Sequence, residues 1–119
     1  MQKRNLGEVL DLVGELWAPK KVADLNDYEV KVVKVLGEFV WHQHDETDEF
    51  FYVLAGEVTL QLRDGDVTLT QGDVYVVPRG VAHCPKAATE ARLMLIEPRG
   101  VVNTGDAGSD LTHAVEDLA

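Results

Sequence analysis

The chain has 119 residues, 45% of them hydrophobic, and a formal net charge of −10. That length suits one small domain with a real core, and the acidic balance, with no basic run, argues against nucleic acid or an anionic membrane as partner. A lone cysteine, Cys84, excludes an internal disulfide, and no apolar run approaches the roughly 20 residues of a membrane-spanning helix.

In chain order, Asn5 to Trp17 carries helical periodicity, with Leu6, Val9, Leu10, Val13, Leu16 and Trp17 at three- and four-residue steps. Asn5 is a natural N-cap, with Glu8 three residues on as in a capping box. Gly7 and Gly14 weaken the helix and Pro19 ends it, so a short docked helix is expected. From Tyr28 onward short β-rich runs alternate with turns. The runs are Tyr28–Leu36, Phe39–His44, Glu49–Leu54, Val58–Arg63, Val67–Thr70, Val74–Val77, Ala82–Pro85 and Ala91–Glu97. Eight short, closely spaced strands without a crossover helix predict an antiparallel all-β sandwich or barrel. The division expected is one domain over 1–119: a helix and strap over 1–27, the barrel over 28–98, and a tail over 99–119. With no secretory leader evident, a reducing cytoplasm is the expected setting.

Four side chains stand out. His42 and His44 lie in the stretch Gly37-x4-His42-x-His44-x4-Glu49-x6-Gly56, and His83 closes the stretch Gly72-x5-Pro78-x-Gly80-x2-His83. Residues two apart in a strand share a face, about 6.5–7 Å apart, so His42 and His44 can close on one ion. Glu49 can join them only if Asp45–Asp48 breaks the strand, and these polar residues suit a turn better than a calcium loop. The turn at Pro78–Gly80 reverses the chain and can deliver His83 from another strand. Three imidazoles and a carboxylate, without a thiolate, fit a catalytic or substrate-binding divalent transition metal (Zn, Fe, Mn, Ni or Cu) better than a structural zinc.

These two stretches resemble the paired motifs of the cupin superfamily, over roughly Gly37 to Ala87. Four residues rather than the usual five separate Gly37 from His42, and Ala87 stands where the second motif ends in asparagine. The resemblance implies a double-stranded β-helix, a jelly-roll-like barrel, with His42, His44, Glu49 and His83 as metal ligands. It also implies a small-molecule substrate, anionic or bearing a carbonyl or hydroxyl, in dioxygenase- or isomerase-type chemistry; the alternative is a non-catalytic binding or sensory module. Glu49 is then the first candidate for a catalytic base, and no other acid–base group can be assigned to the pocket from sequence.

Cys84, beside His83, should be a buried inert thiol. His113 in the tail reads as solvated, and Arg79 and Lys86 as surface charges rather than an anion site. Strict alternation turns His42, His44, Glu49, Phe51 and Val53 inward, and Phe39, Trp41, Gln43, Phe50, Tyr52 and Leu54 outward. Val74 and Val76 share a face that can extend the pocket wall. The outward apolar face needs a cover, either the N-terminal helix or a second subunit, and a homodimer is the expectation.

Overall fold

Asn5 starts the helix as its side chain suggests: its Oδ1 accepts a hydrogen bond from the Glu8 backbone N–H at 3.0 Å. The computed structural model describes residues 2–112 and 116–117. The helix, α1 (Leu6–Asp11), is shorter than the periodicity of 5–17 suggests. It stops at Leu12, ahead of Gly14, and the chain then bends so that Trp17 enters the barrel. Leu10 is fully buried against Val22 and Val32, with Val30 and Leu54 beside them. The helix therefore covers part of the outer sheet face, as one of the two expected covers.

The strands are β1 (Lys20–Leu25), β2 (Tyr28–Glu38), β3 (Glu49–Ala55), β4 (Glu57–Leu62), β5 (Val67–Thr70), β6 (Val74–Val77), β7 (His83–Pro98) and β8 (Glu116–Asp117). β2 and β7 pair antiparallel along most of their length, from Tyr28↔Pro98 to Glu38↔Lys86. The first part of β7 pairs with β4 and the later part with β3. β5 extends from β4 and β6 from β3, while β1 lies on the far side of β2 and pairs in parallel with β8. The two long strands thus serve both sheets. The register shift between Val35 and Gly37 makes the corner where β2 changes sheet. Between the sheets lies an apolar core that includes Val33, Val35, Phe51, Val53, Val58, Leu60, Leu93 and Leu95. The architecture is the expected all-β barrel with a short N-terminal helix.

Several expectations are corrected. β1 carries the charged sequence Lys-Lys-Val-Ala-Asp-Leu, which offers little strand propensity and is held by pairing with β2. The runs at 82–85 and 91–97 belong to one strand, because pairing with β2 resumes on both sides of an exposed bulge at 88–90, from Ala87↔Gly37 to Ala91↔Val35. Phe39–His44 is not a strand: its ladder bonds are Phe39 N–H to Pro85 O and a single bridge between His42 and His83. Phe39 and His42, three residues apart, therefore both face inward. Phe39 is buried, stacked on Trp17 with ring centroids 4.6 Å apart. Trp41 stays half-buried under the guanidinium of Arg63, 3.7 Å from its ring centre. Val74 and Val76 are 53% and 47% exposed, so they do not line the pocket.

One glycine is required where β3 turns into β4. Gly56 has φ +84°, and a Cβ there would lie 3.0 Å from Ala91 Cβ and 3.1 Å from Glu90 O. Gly56→Ala is expected to cost about 1–3 kcal/mol in urea unfolding, from backbone strain and crowding together. A loss under about 0.5 kcal/mol would contradict the close packing of this corner.

Candidate metal centre

The break predicted after His44 is present. Residues 45–48 leave the ladder, and Asp48 Oδ1 accepts from the backbone N–H of Arg79 at 2.9 Å. Across the same gap, the Gly80 N–H donates to His44 O at 2.8 Å. The loop before β3 and the turn before β7 are thereby tied together. Glu49 starts β3 opposite Val77, and His83 starts β7. His42 and His83 exchange backbone hydrogen bonds of 3.0 and 2.9 Å, which brings their rings to 4.3 Å between centroids.

His42, His44, Glu49 and His83 are all buried, and each offers a ligand atom within 4.8 Å of the other three. The Nδ1 atoms of His42 and His83 lie 2.9 Å from the carbonyls of Val40 and Val81. Donation to those carbonyls fixes the tautomer and leaves each Nε2 lone pair for the centre. Glu49 Oε2 stands 2.5 Å from His44 Nε2 and 3.5 Å from His83 Nε2. None of these three buried atoms makes a hydrogen bond of acceptable geometry. Buried polar atoms are normally satisfied. Three that converge without partners fit a cation between them, and the nitrogen–carboxylate donor set fits a divalent transition metal.

The electrostatics of the metal-free site agree. Burial, then His83, lowers His42 to about 4, so it is neutral and ready to bind at neutral pH. For His44, burial acts downward, but the carboxylate of Glu49 outweighs it and holds the imidazole above its usual value. For Glu49, burial acts upward, and the imidazoles of His44 and His83 overcome it and hold the carboxyl down to about 2. The raised imidazole and the lowered carboxyl both favour positive charge at this spot, as a cation would supply.

Glu49 and His42 also border a cavity of about 40 Å³, walled by Trp17, Phe39, Phe51, Leu93 and Leu95. On a scale where one water needs about 10–15 Å³, it holds a few waters or a compact ligand. His44 faces a larger, open groove with Thr47, Arg99, Val102 and Asp106. The cluster therefore meets the inner cavity through His42 and Glu49 and the outer groove through His44. The segment 101–112 straps this end of the barrel. Asn103 Nδ2 donates to Trp17 O at 3.1 Å, and Asp106 Oδ1 accepts from Gln43 N–H at 2.9 Å, between the two first histidines. Gly105 (φ +54°) lies so close that a Cβ would be 2.3 Å from Gln43 O.

Two polar residues on the cavity wall, Lys31 and Glu97, were not expected from the sequence. Lys31 is 1% and Glu97 4% exposed, with Lys31 Nζ 3.7 Å from Glu97 Oε1 and 3.8 Å from Glu29 Oε1. The available signal was phase: Glu97 follows Leu93 and Leu95 at steps of two. Burial, then the charge of Glu49, pushes Glu97 up to about 8. A raised acid stabilises the folded state fully while both states hold the proton, and the advantage drains away once the unfolded chain releases it and the folded state does not. In metal-free protein, this stability is present below about pH 4.5 and lost as pH rises to about 8. Relative to Glu97→Gln, the chelator-treated wild type should lose a few kcal/mol over that window, at roughly 1.4 kcal/mol for each pH unit crossed. Parallel urea-unfolding curves across the window would contradict it.

Cys84 is fully buried, and burial, then Glu38, raises its thiol above the usual value, in keeping with an inert side chain. Arg79 is exposed and paired with Asp48, away from the inner cavity. Lys86 lines a surface groove with Glu38 and Glu57. His113 lies outside the described residues.

The chain belongs to the cupin domain family, whose pattern matches residues 30–99. A solved cupin-2 domain protein from Shewanella frigidimarina is 46% identical and superposes with a TM-score of 0.79, over 81% of this chain and 94% of that one. The uncharacterized protein YdbB of Bacillus subtilis is 32% identical over 81 residues, 67% of this chain and 72% of that protein. A 3-hydroxyanthranilate 3,4-dioxygenase from Ruegeria pomeroyi is 34% identical over 71 residues, 56% of this chain. The match spans only 39% of that dioxygenase.

Proposed function

We propose that this cupin is a metal-dependent enzyme acting on a small molecule, with dioxygenase-type chemistry. The observation that carries the reading is the convergence of three buried ligand atoms on one another, none in a hydrogen bond, beside an apolar cavity. The resemblance to a dioxygenase supports the reaction class. In this reading His42, His44 and His83, through Nε2, and Glu49, through Oε2, hold one divalent ion. Such an ion supplies a residual positive charge for a chelating ligand and, as iron, nickel or copper, a partner for dioxygen. Phe39 and Phe51 wall the cavity beside the four side chains and exclude bulk water from it. Of the two roles expected of Glu49, ligand and base, the first is better matched, since a carboxyl held near 2 is a poor proton acceptor at neutral pH.

The test is elemental analysis of protein purified without a chelator, followed by oxygen uptake with hydroxylated aromatics such as 3-hydroxyanthranilate. The reading expects about one ion per chain and substrate-dependent uptake. Less than about a quarter of an equivalent of any transition metal, unchanged by His44→Ala, would overturn it. A full ion with no uptake, and with ligand binding retained, would favour a binding module.

We assign the whole chain to one working unit, since the strap reaches Trp17 through Asn103. We also read it as a cytoplasmic homodimer. No helix among the described residues is long and apolar enough to cross a membrane. α1 leaves Val74, Val76 and Tyr28 exposed on the outer face. Phe50 and Ile96 line a groove there with Tyr28 and Val76, and a second copy would cover it. Sedimentation at low concentration should give twice the chain mass; a clean species at one chain mass would reject the dimer.

A further inference from the structure

The first two histidines of the centre sit on a segment that is not a strand, so their backbone must be held by something other than a continuous ladder. Three different elements share the task. His42 exchanges backbone hydrogen bonds with His83 at the start of β7, and the carbonyl of His44 accepts from Gly80 N–H at 2.8 Å in the turn before it. Gln43, between the two, is held from the strap. Its N–H donates to Asp106 Oδ1 at 2.9 Å, and its carbonyl accepts from Asp106 N–H at 3.2 Å. Asp106 thereby plays the part of a strand neighbour for Gln43.

The strap is anchored on either side of this contact. Asn103 Nδ2 donates to Trp17 O at 3.1 Å and to Leu111 O at 2.8 Å. Thr104 is fully buried, with its hydroxyl oxygen 2.7 Å from that of Thr112. Gly105, at φ +54°, then passes so close to Gln43 O that a Cβ has no room, and that Cβ would also lie 3.2 Å from His42 Cδ2. Only glycine meets both demands, the left-handed backbone and the close approach.

We propose that Asp106 is a positioning residue for the metal centre, clamping the Gln43 peptide so that His42 and His44 keep the geometry one cation needs. This rests on the proposed function and assigns the strap a part in it. Bonds to both the N–H and the C=O of one residue fix its tilt as well as its place, and a carboxylate acceptor makes the first of them charge-assisted. Asp106 is exposed and stands outside the four-ligand cluster, so its effect passes through the Gln43 backbone. Groups that orient ligands in this way change metal affinity by about 10–100-fold when removed.

The test is competition for zinc against a chromophoric chelator, with the visible spectrum of the cobalt-loaded proteins as a second readout. Asp106→Ala should bind zinc about tenfold or more weakly than wild type and shift the cobalt bands. Asp106→Asn keeps the Oδ1 acceptor and should hold both within about threefold of wild type and unshifted. Glu46→Gln, which removes a charge from the groove beside His44, should do the same. Gly105→Ala must lift the strap from Gln43, so it should weaken zinc as Asp106→Ala does, and it decides if Asp106→Ala fails to fold. Zinc affinity of Asp106→Ala within threefold of wild type, or an equal loss in Asp106→Asn or Glu46→Gln, would overturn the inference and leave the metal reading standing. Failure of wild type itself to take up zinc would sink the metal reading and this inference with it.

Discussion

His83→Ala is expected to abolish tight metal binding while the barrel stays folded. The ring of His83 is fully buried, and its Nε2 is one of the atoms without a partner. Its backbone bridge to His42 and its strand pairing with Leu62 use main-chain atoms that alanine retains. The substitution therefore removes one nitrogen from the set and leaves the other three ligand atoms in register. Groups that merely support ligands cost about 10–100-fold in metal affinity when removed, so a ligand itself should cost at least about 100-fold. Competition against a chromophoric zinc chelator measures this directly. Affinity within about threefold of wild type would remove His83 from the centre. The lost ring leaves a cavity worth a few kcal/mol of stability, so circular dichroism should accompany the titration to show that the fold is intact.

The second large effect is on stability. At pH 9, above the value of about 8 to which Glu97 is raised, Lys31→Met is expected to destabilise the protein by about 3–5 kcal/mol, the scale for stranding a buried charge. Methionine nearly matches the lysine stem, so the loss is mainly electrostatic. Lys31 Nζ is the cation facing both Glu29 and Glu97, at 3.8 and 3.7 Å, and all three residues are buried. Without it Glu97 loses the cation 3.7 Å away and must take up a proton, while Glu29 keeps Lys21. The double variant Lys31→Met/Glu97→Gln removes the stranded acid and should recover a substantial part of the loss. A loss under about 1 kcal/mol for the single variant, or no recovery in the double, would show that Lys31 is not the counter-charge of Glu97.

The residues that converge on the centre were legible because their spacing states the geometry. Two histidines at a step of two share a face, and the polar stretch Asp45–Asp48 supplies the break that returns Glu49 to it. The ranges of β5 and β6 were also legible from alternation between glycine turns. What alternation could not give was position relative to a bend. Phe39 follows the corner at Gly37, so counting by two from His42 turned it outward, whereas the backbone bends and stacks it on Trp17. β1 was hidden because its lysines bury their stems while its propensity is low. Lys31 and Glu97 were hidden for a related reason. On β2, valines occupy both phases, and which phase faces the cavity depends on α1 covering Val30 and Val32 from outside. Only the packing of that helix selects Lys31 for the interior.

The central claim is that His42, His44, Glu49 and His83 grip one cation, and the direct measurement is a crystal of zinc-loaded protein recorded on both sides of the zinc absorption edge. The expected result is a single strong anomalous peak in contact with the three Nε2 atoms and with Glu49 Oε2, at about 2.0–2.2 Å. Zinc found elsewhere on the chain, or a Glu49 carboxylate turned away from the imidazoles, would contradict it.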